Sequence, residues 1–331
     1  MKVLFEKESI SKLDAKDWKI LNALVDNERQ ALSKIAKKCL LSRQSVDYRI
    51  KQMEQNGLVT GYRAVIDIKK LGYSSYHVFI NVKNSEDEKN LREKAISSES
   101  ANAIISYKGK YGYELSIMAR SHEEFQKKYS EIVKGIAIID DEPLFLVSTI
   151  TGKVLPERFI KKVMKQAQNV TLKKKEDYIA DNTDIKLMKM LANDAHTSNI
   201  ILSKKLVISK DTVTYRIKKL VNSGYIVNFR PAINYNALGL SIETVMLKTT
   251  NEGDKDEFER YLRGNDNILW AAKTFGAFDY VIYVISEDLS EFHETFEKLK
   301  GKFGNMMRDY ELLFAYSQEK YSFMAECIGK E

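Results

Sequence analysis

The clearest pattern in the chain is a helical spacing of apolar residues that occurs twice. Val46, Ile50 and Met53 follow the i, i+4, i+7 spacing that places side chains on one face of an α-helix. The same spacing returns 167 residues later, in a segment that is otherwise mostly polar. The apolar residues there are Val213, Ile217 and Leu220. Each segment therefore predicts a short helix with one face in a core and the opposite face available for polar contacts.

Both predicted helices begin and end at matching residues. Ser42 and Ser209 stand where an N-cap is expected, because a serine hydroxyl accepts a hydrogen bond from an unpaired amide of the first turn. Gly57 and Gly224 follow the last turn, where a positive φ is often needed. Seven of the aligned pairs between Ser42–Gly57 and Ser209–Gly224 are identical, which indicates a duplication.

The duplication extends beyond the helices. A shorter helix precedes each Ser-started helix, as in a helix-turn-helix, and a β-rich segment such as Leu58–Ile66 follows it as a strand or wing. From residues 73 and 240 onward the pattern predicts the order β-α-β-β-α-β, which is the ferredoxin-like arrangement. The 167-residue offset holds through these regions. Its matching pairs include Gly72/Gly239, Gly109/Gly276 and Phe125/Phe292.

We therefore predict an α+β protein with two tandem copies of a winged-type helix-turn-helix followed by a ferredoxin-like βαββαβ domain, forming an intramolecular pseudo-dimer. The helix-turn-helix domains are predicted at residues 1–72 and 181–239. The ferredoxin-like domains are predicted at 73–152 and 240–331, with a basic connector at 153–180. Each ferredoxin-like sheet is expected to leave one apolar face open, and an exposed apolar face usually binds a partner.

Positive charge is concentrated in the helix-turn-helix segments. Residues 1–72 hold 15 Lys and Arg against 9 Asp and Glu, and residues 183–239 hold 9 against 3, so each has a net charge of +6. Residues 240–331 hold 11 against 18, a net charge of −7. This distribution predicts a polyanionic partner for both copies, since each neutralised phosphate releases counterions. For the lysine-rich connector, contact with a DNA backbone and a solvated charged face both stay open.

Composition argues against membrane, secreted and metal-binding classes. The chain has only two cysteines, Cys39 and Cys327, no apolar leader, and no run of about 18 apolar residues. These features predict a reduced, cytoplasmic protein without membrane contact. Neither cysteine lies in a cluster of ligands, so we predict no metal and no cofactor.

The outward faces of the two Ser-started helices carry side chains that read base edges or bind phosphates. We predict DNA contacts from Arg43, Gln44, Ser45, Tyr48, Lys51 and Gln52 in the first copy, and from Lys210, Asp211, Thr212, Tyr215, Lys218 and Lys219 in the second. The two faces differ in their first residues, so the two half-sites need not be identical. For Tyr48 and Tyr215, packing at the helix edge is an equally open role.

Each copy also places a carboxylate and an arginine beside its apolar faces. Asp17 lies next to the first helix's buried residues, and Arg49 lies next to the stripe of the later helix. We predict an Asp17–Arg49 ion pair, repeated as Asp184–Arg216. A DNA contact is the alternative role for both arginines.

Together these residues resemble the Lrp/AsnC (feast/famine) transcription regulators. The first copy carries Leu13-Asp14-x-x-Asp17-x-x-Ile20-Leu21 and Ser42-x-x-x-Val46-x-x-Arg49-Ile50-x-x-Met53-Glu54-x-x-Gly57-Leu58-Val59-x-Gly61-Tyr62. The second copy keeps Asp184, Ser209, Val213, Arg216-Ile217, Leu220 and Gly224-Tyr225-Ile226. It departs from the pattern at Ala180, which replaces Leu13, and at Asn228-Phe229, which replace Gly61-Tyr62.

The resemblance implies that the βαββαβ domains are RAM domains, which in this family form dimers through their sheets and bind amino acids or related effectors. The family's glycine-aromatic-aspartate turn resembles Gly276-Ala277-Phe278-Asp279, whereas Gly109-Lys110-Tyr111-Gly112 lacks the acid. An effector site is therefore expected at Gly109, Tyr111, Gly276, Phe278 and Asp279. A tight β-turn is the alternative role for the two glycines.

Three functions compete at this point. The first is a sequence-specific regulator of transcription, not an enzyme, in which one self-associating chain supplies two DNA readers and two face-to-face sensor sheets for pseudo-palindromic duplex DNA. The second is an enzyme resembling siroheme decarboxylase, which needs His and Arg in a tetrapyrrole cleft. The histidines available for it are scattered and none recurs at the 167-residue offset: His77, His122, His196 and His293. The third is a weakly specific, chromatin-like DNA-binding protein.

Overall fold

Both copies of the repeat fold into the same succession of ten helices and strands. The computed structural model describes residues 13–26, 29–156, 158–159, 177–250 and 252–330. The first copy contains α1 (Ala15–Asp26), α2 (Leu32–Cys39), α3 (Arg43–Gln55), β1 (Val59–Ile66), β2 (Ser74–Val82), α4 (Ser85–Ser97), β3 (Ala101–Lys108), β4 (Tyr113–Ala119), α5 (His122–Val133) and β5 (Ile138–Gly152). The second contains α6 (Asn182–Asn193), α7 (Asn199–Leu206), α8 (Lys210–Asn222), β6 (Ile226–Ile233), β7 (Ser241–Thr249), α9 (Lys255–Gly264), β8 (Ile268–Phe275), β9 (Tyr280–Ser286), α10 (Leu289–Phe303) and β10 (Met307–Tyr321). The predicted fold class and element order are confirmed.

The described chain divides into two units. One unit contains both helix-turn-helix copies together with residues 322–330, and the other contains both ferredoxin-like copies. Residues 1–12 and 160–176, which include most of the predicted connector, lie outside the described residues. No helix in the described ranges has both the length and the apolar character needed to cross a membrane.

In the helix-turn-helix unit, the apolar spacing produces the expected core. Val46, Ile50 and Met53 of α3 are buried, as are Val213 and Leu220 of α8. Helix α3 packs against α1 and α2 in the first copy, and α8 packs against α7 in the second. Ile217, also predicted on the core face of α8, is half-buried. The periodicity thus identified the core faces of α3 and α8, which are the recognition helices of the two copies.

The strand after each recognition helix pairs with the other copy. β1 and β6 form an antiparallel two-stranded sheet in which Tyr62 faces Pro231 and Ala64 faces Phe229. The sequence predicted a strand or wing at this place, and the structure adds the pairing of this strand with its counterpart in the other copy. A lone strand would leave its amides and carbonyls unpaired, and the matching strand of the second copy satisfies them.

The helices also cross between the copies. Helix α1 packs on β6, and α6 packs on β1. Arg29 donates to Asn199 Oδ1 at 2.9 Å, and its guanidinium lies 5.5 Å from the centre of the Phe229 ring. At the equivalent place in the duplication, the ring of His196 stacks on Tyr62 with centroids 3.5 Å apart. One contact of the first copy is thus replaced in the second by a chemically related one.

The C-terminal residues 322–330 pack in the helix-turn-helix unit, although the sequence assigned them to the ferredoxin-like domain at 240–331. Met324 and Ile328 are buried, and Lys189 Nζ donates to the carbonyl of Glu326 at 2.5 Å. The predicted boundary is therefore corrected. The physical reason is that apolar residues after the last strand gain burial against the second helix-turn-helix copy.

In the other unit, two four-stranded sheets join at both edges into a closed eight-stranded barrel. The sheets have the orders β3-β4-β2-β5 and β8-β9-β7-β10, and the pairs β5–β8 and β10–β3 close the barrel. Strands β5 and β10 are 15 residues each, and each pairs first with its own sheet and then with the other. The sheet face expected to be open is thus covered by the other copy.

The three largest apolar clusters in the described part of this unit lie on the two sheets and between them. Helices α4 and α5 cover one sheet through residues such as Leu91 and Phe125, and α9 and α10 cover the other through residues such as Phe258. The third cluster fills the space between the sheets and includes Phe79 and Met246. Full burial of each large side chain contributes about 1.5–3 kcal/mol, so the inner cluster strongly favours the joined state.

The two copies approach each other closely at Gly276, where the barrel closes. This glycine has a φ of 152°, and an added Cβ would lie 2.6 Å from Leu144 Cδ2 and 2.9 Å from the backbone oxygen of Pro143. We expect Gly276→Ala to lower the free energy of unfolding by about 2–3 kcal/mol, because β5 must shift to admit the methyl group.

The matched control is Gly301→Ala, on the exposed side of α10, where nothing lies within 4 Å of an added Cβ. This change should raise the free energy of unfolding by about 0.5–1 kcal/mol through helix propensity. Equilibrium denaturation measures both. Equal effects for the two variants would contradict the close approach at Gly276.

Candidate nucleic-acid interface

The recognition helices begin and end as the sequence indicated. Ser42 Oγ accepts a hydrogen bond from the Ser45 amide at 3.1 Å, and Ser209 Oγ accepts one from the Thr212 amide at 3.0 Å. After the C-terminal ends of these helices, Gly57 has a φ of 68° and its counterpart Gly224 has a φ of 77°. The predicted caps and stops are confirmed, so the first turns of both helices have fixed directions.

Side chains opposite the buried stripe form one continuous surface on each helix. Those fully at the surface are Arg43, Gln44, Tyr48 and Lys51 on α3, and Lys210, Asp211, Tyr215 and Lys218 on α8. Those half-buried at its edges are Ser45, Gln52, Thr212 and Lys219. Tyr48 and Tyr215 are 64% and 59% exposed, so the alternative of packing at the helix edge accounts for little of either ring.

Contacts among these side chains are few and local. Lys51 Nζ lies 2.7 Å from Asp47 Oδ2, and this hydrogen bond raises the pKa of Lys51. On α8, Lys219 Nζ lies 5.8 Å from the centre of the Tyr215 ring. An exposed ion pair or cation–π contact of this kind contributes little to stability, because water and salt screen it. A phosphate can therefore compete for these ammonium groups.

In the first copy, Arg49 joins the recognition helix to the start of α1. Its Nη1 lies 2.7 Å from Asp17 Oδ1 and 2.8 Å from Asp14 Oδ2. These hydrogen bonds, that with Asp17 foremost, raise the pKa of Arg49. The amide of Asp17 and the Arg49 guanidinium lower the pKa of Asp14 against the opposing effect of burial. The sequence did not identify Asp14 as a second partner of Arg49, although Asp14 lies only three residues before Asp17.

The second copy repeats this arrangement with more burial. Arg216 Nη1 lies 2.9 Å from Asp184 Oδ1, a fully buried side chain, and 2.8 Å from Asp181 Oδ2. Asp181 and Asp184 also form a capping box at the start of α6. Burial raises the pKa of Asp181, but the Asp184 amide and Arg216 outweigh it, and the net shift is downward. The sequence missed Asp181 as a partner of Arg216.

The residues expected to bind an effector lie in two loops of the barrel. Tyr111 in the β3–β4 loop and Phe278 in the β8–β9 loop are buried in the cluster between the sheets. Asp279 Oδ2 accepts hydrogen bonds from the amide and hydroxyl of Thr249 at 2.7 and 2.9 Å. An added Cβ on Gly109 would lie 2.9 Å from the backbone oxygen of Leu312. Gly109 thus approaches β10 of the second copy as Gly276 approaches β5 of the first.

The four histidines occupy four separate places. His77 lies in the barrel interior with Nδ1 at 2.6 Å from Glu114 Oε1, and His122 and His293 are exposed on α5 and α10. His196 belongs to the helix-turn-helix unit. The described part of the chain has no group of three His, Cys, Asp or Glu side chains placed to hold a metal ion.

The sequence did not anticipate a polar cluster inside the barrel. Buried Glu114 accepts hydrogen bonds from Tyr107 at 2.6 Å and from Tyr283 at 2.8 Å, and Thr244 donates to the Tyr107 oxygen at 3.1 Å. Burial and the Glu114 charge raise the pKa of both tyrosines, so both hydroxyls stay protonated as donors. The alternating strand pattern gave no sign of this cluster, because its members come from both copies.

Comparison with known proteins agrees with the two helix-turn-helix copies. A family model described as winged helix-turn-helix DNA-binding matches residues 13–60 and 181–227. The proline dehydrogenase transcriptional activator of Rhizobium radiobacter is 32% identical over 118 residues, which are 35% of this chain and 76% of the relative. The regulatory protein AsnC of Haemophilus influenzae is 27% identical over 130 residues, 39% of this chain and 85% of that protein.

Among solved structures, the siroheme decarboxylase NirDL is similar over almost the whole chain. Its TM-score is 0.60 at 12% sequence identity, and the alignment covers 94% of this chain and 95% of that one. At this identity the likeness shows a shared fold. It supports a tandem arrangement of two copies along a single chain.

The ion pairs give a pH-dependent prediction. The folded-state pKa values of Asp14 and Asp181 are lowered, so their contribution to stability is complete above the unfolded value near 3.9. It is lost as the pH falls through the lowered folded values. We expect Arg216→Gln to reduce the free energy of unfolding at pH 7 by about 2–4 kcal/mol, because Asp184 stays buried without its cationic partner.

Urea denaturation at pH 7 and at pH 3 measures this effect, and the variant should lose less stability between the two than the parent chain. The control is Arg260→Gln, where the arginine is 67% exposed and 3.8 Å from Asp254. That change should alter stability by less than about 0.5 kcal/mol. An equal acid-induced loss in the parent and in Arg216→Gln would refute the assigned coupling.

Proposed function

This chain belongs to the Lrp/AsnC family of transcription regulators, and from that premise we propose that it binds specific double-stranded DNA through α3 and α8 and thereby regulates transcription. The observation that carries the proposal is the pair of basic, outward faces on two recognition helices within one unit. The strands that follow these two helices, β1 and β6, pair in one sheet. A chain with access to DNA in this way is expected in the cytoplasm.

The chemistry of the faces suits base reading. Arg43 and Gln44 are exposed in the first turn of α3, and such side chains pair with guanine and adenine edges in the major groove. At the equivalent positions α8 presents Lys210 and Asp211, and an aspartate accepts a hydrogen bond from cytosine. The lysines farther along each helix suit phosphates.

The duplication supports a pseudo-palindromic site. Two related readers in one unit favour half-sites about one helical turn apart, or a multiple of it. Because the first-turn residues differ between α3 and α8, we propose that the two half-sites have different sequences. We also propose that the pseudo-dimeric chains associate further with one another.

For the barrel we propose a binding site for an amino acid at the β8–β9 loop. Asp279 and Lys248 form a partly exposed pair at 3.8 Å there, a combination that suits an ammonium and a carboxylate group. The β3–β4 loop has no equivalent acid, so one site per chain is proposed. Thermal shifts of the parent chain and of Asp279→Asn across the amino acids test this site.

We propose that the chain is not an enzyme, although its fold is shared with a decarboxylase. The dispersed histidines support this proposal, because a tetrapyrrole cleft would need a His and an Arg on the same wall. Visible absorbance during titration with an iron tetrapyrrole tests it. A saturable spectral change would favour the decarboxylase-like alternative.

The phosphate-binding role of α8 gives a prediction about salt. Replacing Lys218 and Lys219 with Ala should weaken binding to all duplexes and reduce the slope of log K against log salt by about 2, since two phosphate contacts are lost. Fluorescence anisotropy from 50 to 300 mM salt measures the slope. The control replaces Lys298 and Lys300 of α10, in the barrel unit, and should leave the slope unchanged.

The base-reading role of α3 gives a prediction about sequence preference. Selection from a random duplex pool should recover two unequal half-sites with fixed spacing. Gln44→Ala should reduce discrimination at one base pair by about 1–3 kcal/mol and leave the other half-site unchanged. Gln126→Ala, at an exposed site on α5, is the control. A pool without an enriched motif would favour the weakly specific, chromatin-like function.

A further inference from the structure

Leu40 and Val207 have an unusual backbone conformation. Within the described ranges they are the only non-glycine residues with positive φ, and both have a φ of 56°. They are 167 positions apart and therefore equivalent in the duplication. Each ends the short helix before a recognition helix, and their amides donate to the carbonyls of Ala36 and Ser203.

This conformation is unfavourable for both side chains. Many helices end at a residue with the left-handed backbone conformation. This residue is usually glycine, because a Cβ would crowd the following carbonyl. For a β-branched residue such as Val207 this conformation is a genuine outlier. The turn geometry thus requires a left-handed residue at these positions and gives no reason for an apolar one.

Packing within the chain gives no reason either. Leu40 is 87% exposed and Val207 is 89% exposed, which makes them among the most exposed large apolar residues of the described chain. These two apolar side chains therefore satisfy no local backbone preference and gain no burial in the core. Strain of this kind is commonly found where a residue contacts a ligand.

The surroundings indicate which partner these side chains suit. Leu40 and Val207 lie two residues before the N-caps Ser42 and Ser209, next to the first turns proposed to read bases. Cations flank both: Lys37, Lys38 and Arg43 around the first, and Lys204, Lys205 and Lys210 around the second. An apolar tip among cations matches a surface with apolar groups among phosphates. In the major groove, the apolar group offered by the bases is the methyl group of thymine.

We propose that Leu40 and Val207 contact thymine methyl groups at the edge of each half-site and so set a preference for thymine there. This inference rests on the proposed DNA-binding function and adds an apolar contact to its polar ones. It assigns specificity to residues of the turn, outside the recognition helices themselves.

The test uses the full chain and removes one partner of the contact at a time, either the thymine methyl group or the apolar side chain. Binding of the selected duplex is compared with binding of duplexes in which single thymines are replaced by deoxyuridine. The parent chain should lose about threefold to tenfold in affinity at one thymine per half-site. A variant with Leu40→Gly and Val207→Gly should bind the thymine duplex as weakly as the parent binds the uracil duplex, with no further loss on uracil.

Stability provides a second readout that a structural role would not give. The glycine variant should unfold at a higher temperature than the parent, because the left-handed strain is relieved, while its affinity falls. A variant with Leu40→Ala and Val207→Ala should lose the same affinity without this gain in stability. Ile139→Ala, which removes an exposed apolar side chain from the barrel unit, should change neither affinity nor thymine dependence.

The contrary outcomes are distinct. If the parent binds the selected duplex and thymine replacement has no effect at any position, the thymine contact is refuted while the proposed function stands. If the glycine variant instead changes the mass of the assembly in sedimentation and keeps its affinity, the side chains join copies of the chain and the inference fails. If the parent binds no duplex, both the proposed function and this inference fail.

Discussion

Antiparallel pairing of strands between the two copies is the interaction on which the rest of the structure depends. β1 pairs with β6, and the far ends of β5 and β10 pair with β8 and β3. Buried or half-buried backbone groups must be paired, and neither copy alone has enough strands to do so. Each copy therefore needs a second copy in both units, and the duplication supplies it within one chain.

Because the pairing occurs within one chain, the two copies are free to diverge where they meet. Glu114 lies in the barrel interior and binds Tyr283 of the second copy, while the residue equivalent to Glu114 is the apolar Val281. In the helix-turn-helix unit, Arg29 against Phe229 corresponds to His196 against Tyr62. A symmetric dimer would need each surface to complement itself, whereas a tandem chain needs one complementary pair.

The same pairing explains how the recognition helices are held. The β1–β6 sheet and the exchanged packing of α1 and α6 fix the framework under α3 and α8, and the Asp–Arg contacts tie each recognition helix to the first helix of its copy. Their outer faces stay exposed and carry few contacts of their own. Reading residues on rigid elements lose less entropy on binding, so a rigid framework supports specificity.

The sequence by itself determined the features that depend on near neighbours. Helical stripes, the caps at Ser42 and Ser209, the Asp17–Arg49 spacing and the duplication all follow from short-range periodicity or from comparison of the chain with itself. Only the tertiary structure decided that β1 pairs with β6, that the sheets close into a barrel, that residues 322–330 join the second helix-turn-helix copy, and that Glu114 meets tyrosines from both copies. Nearly every residue offers the same backbone amide and carbonyl, so the sequence predicts a strand without indicating which strand it pairs with. Long-range burial depends on surfaces that exist only after both copies have folded.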